Sequence, residues 1–177
     1  MKMLFLYFFL FSVSTVFCQS TIKFGGEVSF FGNNFLRSFN QGGIGLTCNY
    51  NIHLSKKNEL YIQTAWQRFY DYSIDPYNKA VDILPLRAGY TRTFLNTNFG
   101  SFVEAGIATT LFPDRTLTDL SLSAGLFYRF RLLNTHYIQS SLSYTYCRYS
   151  EVRKNDYYAW GSLRFEYGFI LPKKNKN

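Results

Sequence analysis

From Ile22 onward the chain alternates, and this two-residue period constrains its fold more than any other feature. Successive side chains of a strand point to opposite faces, so apolar residues at every second position mark a strand between two different environments. Eight such segments are legible, over about 22–31, 39–54, 59–70, 82–94, 99–111, 119–132, 136–149 and 157–170. In the sixth, Leu120, Leu122, Ala124, Leu126, Tyr128, Phe130 and Leu132 alternate with Ser121, Ser123, Gly125, Phe127, Arg129 and Arg131. The eighth sets Leu163, Phe165, Tyr167 and Phe169 against Ser162, Arg164, Glu166 and Gly168. The second and fourth segments repeat the pattern.

Alternation leaves open which face is inside. A soluble lipocalin-like carrier turns its apolar face inward, whereas a membrane barrel turns it toward lipid. Three features favour lipid. The polar faces are rich in Gly, Ser and Thr, which suit a narrow packed interior, and their charges are mainly Arg and Glu, which pair when buried. Aromatic residues make up 20% of the chain. They gather near the apolar strand ends, with Phe24, Tyr50, Phe94, Phe99, Phe130 and Phe169 at one level and Phe30, Trp66, Tyr146 and Tyr157 at the other. Two such rings resemble interfacial girdles. Lysines avoid the strands: Lys23 alone falls inside one. Mean hydropathy is only -0.13, and past the N-terminus no apolar run reaches the roughly 20 residues of a spanning helix.

Connection lengths point the same way. Short turns are expected over 55–58, 95–98 and 133–135, and longer loops over 32–38, 71–81, 112–118 and 150–156. Long and short connections alternate in barrels whose termini share the periplasmic side. Closure is a physical demand as well, because an open sheet edge in lipid strands unpaired backbone groups.

The N-terminus reads as a signal peptide over 1–18, with Lys2 ahead of an apolar run to Phe17 and cleavage after Cys18. The run is short for a membrane anchor, and Phe17 argues against a lipidated Cys18. The mature barrel is then expected over 19–171, with a basic periplasmic tail over 172–177. Cys48 and Cys147 fall on separate strands and opposite faces, so both are read as unpaired packing residues. The formal net charge of +8 suggests nucleic acid only for a chain that stays inside the cell. Export excludes that partner.

Taken together, residues 22–170 resemble the small eight-stranded outer-membrane barrels of the OmpA-transmembrane and OmpX type. That resemblance implies an all-β fold, an eight-stranded antiparallel up-and-down transmembrane β-barrel in the bacterial outer membrane. It implies a porin-like shape, a monomer, and contacts with outer-membrane lipid, lipopolysaccharide and the outer-membrane insertion machinery. One departure stands out: such barrels usually end on an aromatic residue, whereas here Phe169 is followed by Ile170, Leu171 and Pro172.

The chemistry-bearing residues fall into two groups. Lys23, Glu27, Arg87, Glu104, Arg129, Arg131, Arg164 and Glu166 are expected to fill the interior as ion pairs. Counting along the hairpins sets Arg87 beside Glu104 and Lys23 beside Glu166. Eight strands leave room only for side chains, so a plugged interior is favoured over a narrow ion path. Tyr70, Tyr72, Tyr77, Lys79, Arg115, Arg153 and Lys154 are expected in or beside the external loops as contact residues. Tyrosine with small polar residues makes an adaptable contact surface, and Arg37, Arg115, Arg153 and Lys154 suit lipid phosphates.

Catalysis finds less support. His53 and Ser55 have the His-x-Ser spacing of lipid A deacylases, but they lie at a turn on the periplasmic end, as does His136. Two histidines on separate strands and no clustered thiols give no metal site, and no cofactor is expected. Gly25-Gly26 and Gly42-Gly43 precede no helix, which excludes a phosphate cradle. A structural or surface-interaction role through the external loops therefore leads. A lipid A-modifying hydrolase, an accessory barrel of an export or assembly complex, and a soluble carrier follow as alternatives.

Overall fold

The computed structural model describes residues 19–31, 42–71, 79–94, 98–112, 116–148 and 157–172. Eight strands run in chain order: β1 (Ser20–Phe31), β2 (Gly42–His53), β3 (Asn58–Asp71), β4 (Lys79–Thr93), β5 (Phe99–Leu111), β6 (Thr116–Arg131), β7 (His136–Arg148) and β8 (Tyr157–Ile170). Each pairs antiparallel with its sequence neighbours, and β1 pairs with β8 from Thr21↔Ile170 to Phe31↔Trp160, closing the barrel. The expected signal segment over 1–18 lies outside the described residues, as do positions 173–177 of the basic tail.

The alternation has its lipid-type sense: apolar side chains point out and polar ones in. Outward Leu142 on β7 is 62% exposed, while inward Arg87 on β4 is 2% exposed. The soluble carrier, which needs the opposite sense, is thereby excluded. Outward charges among the described strand side chains, Arg68, Asp82, Arg92 and Arg148, all lie near strand ends. On β4 the ten steps from Asp82 to Arg92 enclose the outward Leu84, Leu86, Ala88 and Tyr90. At about 3.3 Å per residue and a tilt of about 40°, that stretch stands about 25 Å tall, the height of an outer-membrane apolar band. The loop-side border carries a polar clasp, in which Arg68 donates to Asp82 at 2.7 and 2.8 Å and Trp66 Nε1 donates to the same carboxylate at 3.1 Å.

Two strands run further toward the loops than the sequence pattern suggests. β4 starts at Lys79 and β6 at Thr116. The connection over 112–115 is therefore as short as the turn over 54–57, and the alternation of long and short connections fails there. Its cause is a local reversal of the interior. At this end most inward residues are apolar: Phe69, Val81, Ile83, Ala108, Leu117, Cys147, Tyr158 and Trp160 form one buried cluster, with Thr110 and Asp119 buried beside it. Burying Val81 and Leu117 there holds the added strand residues in place, at about 25 cal/mol per Å² of apolar surface. A Thr109–Thr118 hydroxyl contact of 3.1 Å adds a cross-strand pair. Cys48 and Cys147 are both free thiols.

Candidate functional site: the barrel interior and its mouth

Inward positions of every strand converge on one polar network. Arg87 Nη1 donates to Glu104 Oε2 at 3.2 Å and its Nε to Ser121 at 2.9 Å. Arg164 reaches two carboxylates, Glu27 at 3.3 Å and Glu104 at 3.4 Å. The Tyr61 hydroxyl donates to Glu104 at 2.8 Å, and the Gln63 amide bridges Glu104 and Arg164, donating to one and accepting from the other at 3.1 Å each. Gln67 donates to Glu27. Nearer the turns, Lys23 pairs with Glu166 at 3.6 Å, while Asn49 and Gln139 donate to the same carboxylate. Arg129 grips Glu59 with two hydrogen bonds, 2.7 and 3.2 Å, and donates to Gln139 at 3.0 Å. A charge buried here is stable only while paired and hydrogen-bonded, and each of the four carboxylates has several partners.

This network differs from the sequence expectation at two residues. Arg131 is a correction: it is the last residue of β6, is exposed, and forms no ion pair among the described residues. Strand parity points it inward, but it lies beyond the end of the bore, on the lining of the recess into which the bore opens. Glu59, which sequence reasoning missed, takes the vacant place. It is the second residue of β3 and shares the parity of Gln63 and Gln67, a signal that was available. The four cations Lys23, Arg87, Arg129 and Arg164 thus meet the four carboxylates Glu27, Glu59, Glu104 and Glu166.

Aromatic rings fill the remaining space in a repeated arrangement. Tyr61 lies across from Gly89, Phe127 from Gly100, Phe102 from Gly125 and Tyr137 from Gly168. In each case a Cβ on the glycine would collide with the opposing ring. A ring lies over a bare stretch of wall and offers its face to a cation. Lys23 sits 5.4 Å from the Tyr61 centroid, Arg164 6.0 Å from Phe102, and Arg129 4.5 and 5.3 Å from Tyr137 and Phe127. Such contacts strengthen when desolvated.

The two ends of the bore are unlike. Toward the loops the apolar cluster closes it, with Phe69 edge-on to Trp160 at 5.8 Å and Tyr158 stacked on Trp160 at 5.7 Å. Toward the turns it opens into a recess of about 500 Å³ lined by His53, Lys56, Glu59, Asn98, Arg129, Arg131 and His136, among others.

At the edge of that recess the His53 ring bridges two groups. Its Nε2 contacts Thr21 Oγ1 at 2.7 Å and its Nδ1 lies 3.4 Å from Glu59. Hydroxyl, imidazole and carboxylate in line form the outline of a nucleophilic relay. Thr21, however, has no exposed surface, so its hydroxyl has no path to a carbonyl carbon. Ser55, the other half of the His-x-Ser spacing, accepts the Lys57 and Asn58 backbone N–H groups at 3.2 and 3.1 Å and shapes the turn. His136 contacts Tyr167 and packs on Phe169. Among the described residues no group of His, Cys, Asp and Glu is arranged to hold a metal.

Of the expected loop contacts, Tyr70 lies on the outward face of β3 and is half-buried, and Lys79 opens β4. Tyr72, Tyr77, Arg115, Arg153 and Lys154 lie outside the described residues, as does Arg37.

No protein-family model matches the chain, and no curated protein matches it in sequence. Its shape, by contrast, has clear counterparts. Ail, the attachment invasion locus protein of Yersinia pestis, is 16% identical, with 87% of this chain and 99% of that one covered and a TM-score of 0.58. The N-terminal β-barrel domain of Pseudomonas aeruginosa OprF is 14% identical, with 86% and 100% covered and a TM-score of 0.55. Neisserial surface protein A is 10% identical, with 86% and 97% covered and a TM-score of 0.54. The fold is therefore that of the small eight-stranded bacterial outer-membrane barrels.

Proposed function

We propose that this protein is a non-conducting, non-catalytic outer-membrane barrel that works through its external loops, which contact anionic surface lipid or a surface ligand. One observation carries the proposal: the bore is occupied by mutually neutralising charges and closed by an apolar cluster at its loop end. Passage of an ion through it means separating buried pairs, which costs several kcal/mol per pair (about 3–5). With the interior committed to structure, the loops are what remains for recognition. Barrels of this shape serve varied roles, so the fold alone does not choose among them.

Two measurements test the reading. In planar bilayers the purified protein is expected to give no discrete conductance steps; a steady open level would refute the plugged interior. In a binding assay with lipopolysaccharide micelles, replacing Arg115, Arg153 and Lys154 with Ser should weaken binding while the barrel stays folded. Unchanged binding would remove the loops from that role. For the hydrolase alternative, His53→Ala should leave the lipid A profile of the cell unaltered.

A further inference from the structure

The turn-side recess carries positive charge that no carboxylate of its lining balances. Its lining holds one carboxylate, Glu59, and that group is already fully engaged. Arg129 grips it twice, Asn51 donates to it at 2.8 Å, and His53 faces it at 3.4 Å. Arg129 and Glu59 cancel. Arg131 and Lys56 are exposed on the same lining and form no ion pair among the described residues, so the recess is left with two uncompensated positive charges. Asn98 and Gln19 add amide groups beside them. A recess of about 500 Å³ falls within the size range of small-ligand sites. Its walls are strand ends and the turn residues Leu54, Ser55, Lys56 and Asn98, and a concave wall whose unpaired charges share one sign focuses its field on whatever enters. An arginine fork matches the oxygens of a phosphate two at a time.

We infer that this mouth binds a phosphate-bearing ligand with at least two negative charges, on the side of the membrane that holds both termini. Two sources offer that chemistry: a soluble phosphate ester and the headgroup of an anionic phospholipid in the adjoining leaflet. The bound phosphate sits against Arg131 and Lys56, and the Arg129–Glu59 pair forms the floor beneath it.

The test uses the full mature chain, folded in an uncharged maltoside detergent and checked by its heat-dependent gel mobility. Calorimetric titration with inorganic diphosphate is expected to show saturable binding that weakens with added salt. The double variant Arg131→Ala, Lys56→Ala should lose about ten-fold or more in affinity, the scale of a lost charged hydrogen bond. Both residues are exposed, so the variant keeps its fold. Arg148→Ala, at the opposite end, should bind as the unaltered protein does. If diphosphate does not bind in detergent, the protein is placed in nanodiscs containing phosphatidylglycerol. Retention of that lipid lost in the double variant then assigns the site to a headgroup. Absence of binding in both settings, or an equal loss in Arg148→Ala, overturns the inference. The outcome is independent of the loops, so it stands or falls separately from the lipopolysaccharide measurement above.

Discussion

At the residue scale the interior is a set of shared charges, and sharing makes the members unequal. Arg164 serves two carboxylates, Glu27 and Glu104. Arg164→Met is therefore expected to leave both underpaired and to lower stability by about 3–5 kcal/mol, the usual penalty for breaking a buried pair. Urea unfolding in lipid vesicles measures it, and an unchanged midpoint would contradict the network. Arg131→Ala should change stability by less than about 0.5 kcal/mol in the same measurement, as exposed substitutions do. Part of this was legible beforehand. Hairpin counting places Arg87 beside Glu104 and Lys23 beside Glu166, and these pairs stand at 3.2 and 3.6 Å. What counting does not supply is the height at which the bore ends. Arg131 and Glu59 therefore exchange places: one lies just beyond the bore and the other just within it.

At the element scale, neighbouring strands are matched by shape as well as by hydrogen bonds. An inward glycine on one strand receives the ring from the next, as Gly89 receives Tyr61. Gly89→Ala is expected to push Tyr61 off its wall, break its 2.8 Å bond to Glu104, and lower stability by about 1–3 kcal/mol through overpacking. In a Tyr61→Ala background the same change should have little further effect, because the ring is gone. A double-mutant cycle reads that difference directly, and additive losses would disprove the coupling. The strands themselves were plain from their period of two. Their loop-side ends were not, because Val81, Ile83 and Leu117 turn apolar side chains inward where the rest of the bore is polar. Reading outward for apolar and inward for polar therefore stops β4 and β6 too soon at that end. Pairings between strands far apart in sequence, such as Arg129 with Glu59, depend on how the sheet curls, and no local pattern contains that.

At the scale of the molecule, the chain is built with its apolar surface outward, so a bilayer must surround it. A charge placed in the middle of that belt has no water to meet. Leu122→Arg, on the outward face of β6, should destabilise the inserted barrel by about 2–4 kcal/mol, whereas the same change at Phe130, near the turn-side rim, should cost less. The charge-filled bore, the apolar closure toward the loops and the cationic mouth toward the turns all presuppose this orientation of the two faces. The most direct test is the gel mobility of the outer-membrane fraction with and without boiling. A closed barrel resists detergent until heated. The protein is expected in the membrane fraction after a urea wash, as a compact fast-running band that shifts to its full-length position on boiling. A protein found soluble in the periplasm, with one mobility under both conditions, would contradict the account at its root.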